Sequence, residues 1–172
     1  MLRAVAVAIA SRSRLVTSVA RTRRSLDALD AALPAGAGRH LLLALDWSRP
    51  DEYLERIEKH LRAVGRPDLV VAWIHSDHLA LDLVGRLEAA GAECDVFHVV
   101  GSAHDDPLRL ADTLRAEVGP LAAVRYHQVV LGARRVARGR RWLSDEEITD
   151  GVLDAVARGA ATSVIGDAQE PV

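Results

Sequence analysis

The chain has 172 residues, 49% of them hydrophobic and 27% charged, which is a globular composition for one domain able to bury most of its apolar surface. A formal charge of −2 exerts no overall pull toward nucleic acid or an anionic membrane, and three Trp, two Tyr and one Phe are too few for base-stacking platforms. The single Cys94 excludes an intramolecular disulfide or a multi-cysteine zinc site, and no apolar run approaches the roughly 20 residues of a membrane span.

Residues 1–26 hold six arginines, and no acid occurs before Asp27. That composition suits an organellar transit peptide, but residues 2–10 also read as a helix in register with everything downstream. The β-branched run Leu15-Val16-Thr17-Ser18-Val19-Ala20 predicts a strand. Leu26, Leu29 and Leu33 then recur at helical spacing until Pro34-Ala35-Gly36 ends the helix. Residues 41–45 are continuously apolar, as in a strand covered on both faces. Ser48 and Asp51 predict a capping-box-like start to a helix whose apolar face is Leu54, Ile57, Leu61 and Val64.

Residues 69–74 predict a further buried strand. Ser76-Asp77 then caps a helix through Leu79, Leu83 and Leu87 that stops at Gly91. Residues 96–100 form a strand, Asp106-Pro107 an N-cap with proline in the first turn, and Leu110, Leu114 and Val118 the next helical face. Residues 126–131 form a strand, Gly139 marks a turn, and Arg141-Trp142-Leu143 is extended. Ser144 and Glu147 box the start of a last helix carrying Ile148, Val152 and Val156, and residues 162–165 close the series. This alternation predicts right-handed βαβ crossovers and a single α/β domain, residues 1–172, with a doubly wound, mostly parallel sheet.

Ligands of open α/β sheets bind beyond the carboxyl ends of the strands. Those ends read Val19-Ala20-Arg21-Thr22-Arg23-Arg24, Leu45-Asp46-Trp47, Val71-Ala72-Trp73-Ile74-His75-Ser76, Val99-Val100-Gly101-Ser102 and Tyr126-His127-Gln128-Val129-Val130-Leu131-Gly132. Together with Arg141-Trp142-Leu143-Ser144-Asp145-Glu146-Glu147-Ile148, they resemble the small bacterial Rossmann-fold proteins of the short-chain dehydrogenase-like type, over nearly the whole chain.

The resemblance implies a strand and a Gly-Gly-x-Gly turn ahead of the first helix. Residues 1–8 look like that helix, so the first strand and phosphate loop are expected to be missing and the chain N-terminally truncated. In the usual strand order 3-2-1-4-5-6 the missing strand is central. The alternative is a sheet closed over the gap, with its neighbours paired directly.

The resemblance further implies that Arg21, Arg23 and Arg24 meet a 2′-phosphate and favour NADP over NAD, unless they are only an exposed basic helix start. Asp46 resembles the aspartate that hydrogen-bonds adenine, or else it marks a helix entry. Ala72, Trp73 and Ile74 fall where the ribose and nicotinamide halves of the cofactor lie, with core or lid packing the other role for Trp73. His75, Ser102 and His127 are the candidate proton-handling residues. Gly101-Ser102 is also plain turn chemistry, and His127 is also a typical core histidine.

The family's Tyr-x-x-x-Lys pair is absent: Lys59 is the only lysine, the residue four before it is Glu55, and asparagine does not occur. Two function classes follow. One is an atypical NADP(H)-dependent oxidoreductase, and the other a non-catalytic Rossmann-type nucleotide-binding or partner protein. A metal site at His75, His78 and His104 trails both, since the histidine spacing is wrong for one helical face, and no metal is expected. The expected partner is the nucleotide, in the cytoplasm, with no nucleic acid or membrane and with a homo-oligomer left open.

Overall fold

The computed structural model describes residues 2–101, 107–137 and 139–167. In chain order the elements are α1 (Arg3–Ala10), β1 (Leu15–Ala20), α2 (Arg23–Asp30), β2 (Arg39–Ala44), α3 (Pro50–Val64), β3 (Leu69–Ala72), α4 (Asp77–Ala89) and β4 (Asp95–Val100). There follow α5 (Pro107–Val118), β5 (Arg125–Leu131), β6 (Ala133–Val136), β7 (Gly139–Trp142), α6 (Asp145–Arg158) and β8 (Thr162–Ile165). β1 pairs with β2, and β3, β4, β5 and β8 pair in that order, all in parallel. The expected α/β class and parallel sheet are therefore what the chain forms.

The sheet is interrupted. Among the described residues β1 bonds only to β2, and β3 only to β4, so the edges of β1 and β3 carry no ladder between them. Direct pairing across that place, the alternative for a closed sheet, does not occur. Helices hold the two parts together. On one face Val5 of α1 packs in the cluster of Phe97, Val129, Ile148 and Val152, with Leu69 and Val71 against it. Elsewhere Tyr53, Leu54 and Ile57 of α3 join Leu45, which follows β2, to Ala72 and Ile74 at the end of β3. Burial follows the number of flanking strands: β4 is buried from Val96 to Val100, whereas Leu69, Val70 and Val71 are half-buried and Leu15 and Val19 exposed.

Local chemistry sets most helix starts. Thr22 Oγ1 accepts the Ser25 N–H at 3.2 Å, Ser76 Oγ accepts the Leu79 N–H at 3.3 Å, and Ser144 and Glu147 form a reciprocal capping box. The expected cap at Ser48 is corrected. Its N–H instead donates to Asp46 Oδ1 at 3.0 Å in a tight turn, and α3 starts from Arg49 with Pro50 pre-setting the first turn. Strand ends depend on neighbours. β2 begins at Arg39, before the predicted residue 41, because the Arg39 N–H bonds Arg14 O at 2.9 Å. β3 stops at Ala72 rather than residue 74, where its pairing with β4 ends at His98.

Two further fastenings shape the ends of the sheet. Glu88 of α4 accepts the N–H groups of Ala122, Ala123 and Val124 at 2.8–3.2 Å, which fixes the entry to β5 and holds its carboxyl below the ordinary range. After β5 the chain forms an antiparallel hairpin of β6 and β7, with Ala133 opposite Trp142. Sequence periodicity foresaw the extended 141–143 segment but not β6.

Candidate functional site

The carboxyl ends of β1, β2 and β3 converge on a cleft of about 390 Å³ lined by Arg21, Thr22, Ser25, Trp47 and His75. Arg21 directly follows β1. Thr22, extended at φ −118°, turns the chain into α2 and caps it through Ser25. The remaining first-turn N–H groups of α2 have no partner within the helix, so a guanidinium, two hydroxyls and a helix N-terminus meet in one wall, a constellation that suits a phosphate. Arg21 makes no ion pair within 4 Å among the described residues. In the same cleft the His75 ring lies 5.7 Å from the Trp47 ring and 6.2 Å from the Trp73 ring, tilted at 50° and 47°. The cleft thus combines cationic, hydrogen-bonding groups with an aromatic ring and an imidazole.

Of the residues singled out in the sequence, Arg21 and His75 line this cleft and Trp73 stands against His75. Arg23 and Arg24 do not line it. Arg23 donates to Asp27 Oδ1 at 2.8 Å one helical turn along, and Arg24 is exposed on α2. Asp46 is engaged in its own turn. Hydrogen bonds from Ser48 hold its carboxyl below the usual carboxylate range, with lesser help from Arg21 and Arg49. Ala72 and Ile74 bury their side chains in the core with Leu45 and Leu79, which leaves only their backbone for a ligand. Ser102, like His104, Asp105 and Asp106, lies outside the described residues.

His127 is not brought to this cleft. It is the third residue of β5, at the amino edge of the sheet, with Nε2 2.8 Å from Asp95 Oδ1 and Nδ1 3.0 Å from the Ala160 carbonyl. Its ring stacks on Phe97 at 4.4 Å between centroids. Arg125 forks onto the same Asp95 at 2.8 and 2.6 Å. These guanidinium bonds first, and His127 second, pull the Asp95 carboxyl down to about 2 against its partial burial.

Sequence reasoning missed Thr22, Ser25 and Trp47 as site residues. The Thr-x-x-Ser spacing after a strand was a readable cap, and Trp47 adjoins Asp46 at a strand end. Neither tyrosine lines the cleft: Tyr53 is buried in α3, and Tyr126 bonds His98 Nδ1 at 2.8 Å, with burial pushing its phenol up to about 12. Lys59 and Glu55 are both exposed on α3. No three metal-ligating side chains are grouped among the described residues, and no helix there is long and apolar enough to cross a membrane.

No family model matches the chain, and neither does any curated protein. Solved structures do. A short-chain dehydrogenase from Sphingobium yanoikuyae in complex with NADPH superposes with a TM-score of 0.66 at 18% identity, covering 94% of this chain and 81% of that one. A metagenomic short-chain oxidoreductase in complex with NADP gives 0.62 at 20%, covering 99% and 91%. A betaketoacyl-[ACP] reductase from Bacteroides thetaiotaomicron gives 0.65 at 16%, covering 95% and 90%. At such identities the likeness establishes a shared Rossmann-like fold.

Proposed function

We propose that the cleft holds the adenosine-phosphate end of NADP(H) and that the chain is an atypical oxidoreductase of the short-chain dehydrogenase type, acting in the cytoplasm. The observation that carries this is Arg21, without an ion-pair partner among the described residues, beside the capped N-terminus of α2 in a cleft also lined by Trp47. A 2′-phosphate suits those groups: Arg21 supplies charge-assisted donors, and Thr22, Ser25 and the α2 N–H groups supply further hydrogen bonds. Trp47 offers a flat apolar wall to a base. Solved structures of the same fold that contain NADPH or NADP support the choice of nucleotide.

When bound, the nicotinamide supplies the hydride chemistry. The chain's own contribution is to bind and orient the nucleotide and, through a ring N–H of His75 or the Ser102 hydroxyl, to hand a proton to the substrate oxygen. His127 has no part in this reading, because its two ring nitrogens are engaged at the other edge. The interruption between β1 and β3 is the place of one more parallel strand running into α1, with a glycine-rich turn for the pyrophosphate at the start of that helix. Two features support this: a right-handed strand–α1–β1 crossover sets such a strand beside β1, and among the described residues both flanking edges lack partners.

Calorimetric titration with NADPH and NADH tests the reading. The wild type should prefer NADPH by about tenfold or more, since a charge-assisted hydrogen bond is worth roughly 1.5–3 kcal/mol, and Arg21→Asp should erase the preference. Equal affinities in the wild type would refute it. A second reading, nucleotide binding without turnover, is favoured by the lack of a Tyr-x-x-x-Lys pair: Lys59, the only lysine, and Glu55 four residues before it are exposed on α3 and do not line the cleft. NADPH oxidation against a panel of carbonyl compounds separates the two.

A further inference from the structure

A closed group of polar side chains lies between the sheet and helices α4 and α5, and the nucleotide cleft uses none of it. Parallel register sets His98 of β4 opposite Gln128 of β5, and Tyr126 stands two residues before Gln128 on the same face. His98 and Gln128 are each 1% exposed. Asp77, the first residue of α4, bounds the group on one side, and the Ala111 carbonyl of α5 bounds it on the other.

The neighbours of each atom fix where the protons are. Gln128 Nε2 donates to the Ala111 carbonyl at 2.6 Å, which sets the orientation of the amide. The same nitrogen is 3.5 Å from the Tyr126 hydroxyl, so the phenol oxygen accepts there and its own proton goes to His98 Nδ1 at 2.8 Å. A neutral imidazole that accepts at Nδ1 carries its proton on Nε2. That N–H has no hydrogen-bond partner among the described residues, and Asp77 Oδ1 stands 3.8 Å away. Gln128 Oε1 is likewise buried without a partner. One donor and one acceptor are left over, and each costs free energy while it stays so.

One more proton resolves both. With N–H at both ring nitrogens, His98 donates from Nδ1 to the phenol oxygen, and the Tyr126 O–H turns to Gln128 Oε1. Nε2–H gains the Asp77 carboxylate once that side chain moves in by about 1 Å. Burial opposes the charge and holds the imidazole below its ordinary range, while Asp77 pulls it upward. Tyr126, pushed up to about 12, keeps its proton throughout. The further charge facing the group among the described residues is Arg115 of α5, 5.5 Å over the Tyr126 ring, and β3 meets His98 with Ala72.

We propose that His98 is an internal proton-binding site, in which one proton reverses the Tyr126–His98 hydrogen bond and draws Asp77 onto the ring. His75, two residues before Asp77, lines the nucleotide cleft, so proton binding tethers the start of α4 to β4 beside that cleft. The device is built outside the cleft and does not depend on what the cleft holds. Its sign follows from the lowered imidazole. The unfolded chain takes up this proton near pH 6.5 and the folded chain only below it, so stability falls with pH between those two values and levels off once His98 is charged.

Nitrogen-15 NMR of the assigned His98 ring, on the full chain from about pH 7.5 down to about pH 4, tests the proposal. At neutral pH the ring should show the Nε2–H tautomer. On acidification it should titrate reversibly below pH 6.5 while the amide spectrum remains that of the folded protein. Asp77→Asn should lower the midpoint by about 1 pH unit, a tenfold weaker hold on the proton, and Asp77→Glu should keep most of the wild-type value. Gln128→Met should lower the midpoint as well, because it removes the acceptor to which Tyr126 turns. An Nδ1–H tautomer at neutral pH, a ring that stays neutral until the chain unfolds, or a midpoint indifferent to Asp77→Asn would each overturn the proposal.

Discussion

Asp95 is the residue through which the amino edge of the sheet should report its own strength. Parallel pairing sets Asp95 opposite Arg125, so one carboxylate receives the Arg125 fork at 2.8 and 2.6 Å and the His127 ring at 2.8 Å. Its carboxyl is lowered from 3.8 to about 2. A carboxyl depressed on folding contributes stability that is present above the unfolded value and is lost as pH falls through the folded one. The full difference corresponds to about 2.4 kcal/mol at neutral pH. With the side chain 31% exposed, solvent screening reduces this to roughly 1–2 kcal/mol. Asp95→Asn should therefore lower the urea-unfolding free energy by that amount at pH 7, and the melting temperature by about 2–8 °C. The gap between wild type and variant should begin to close below about pH 4 and vanish only below about pH 2. A gap that stays constant from neutral pH down to that range, or one absent at pH 7, would show that the Asp95 carboxylate gains nothing from its two partners.

Gly151 sits where α6 crosses β8, and a Cβ built there would lie 2.4–2.8 Å from three atoms of Ile165. Gly151→Ala should destabilise by about 1–2 kcal/mol despite the better helix propensity of alanine, and Ile165→Val should recover part of the loss; a more stable Gly151→Ala in thermal melts would contradict the close approach. Joining a β-branched strand of about six residues and a glycine-rich turn to the start of α1 should raise both the melting temperature and the NADPH affinity. Equal values with and without the addition would mean that the interruption beside β1 is complete as it stands.

Much of the fold was legible because its signals are local. Alternating apolar runs and helical stripes predicted the α/β class, β1 from Leu15 to Ala20, and the order of strands and helices. The Ser76 cap and the Ser144–Glu147 box were equally plain, since a capping hydroxyl bonds an N–H only three residues away. What the sequence could not decide was set by residues distant along the chain. The three arginines after β1 look equivalent in sequence. Only the packed structure separates Arg21, which precedes the helix and faces the cleft, from Arg23, which the helical repeat turns toward Asp27.

His127 shows the same division. In the sequence it was open between a proton-handling residue and a core histidine, and its role depended on Asp95, a residue 32 positions away that parallel register brings within 2.8 Å. The ends of β2 and β3 moved from their predicted positions for a like reason, since a strand extends as far as a neighbour pairs with it. The interruption of the sheet and the β6–β7 hairpin belong to tertiary structure as well. Local pattern tells a chain what each segment can become. Which backbone groups find partners, and which side chains meet across a sheet edge, is decided by segments that sequence order keeps far apart.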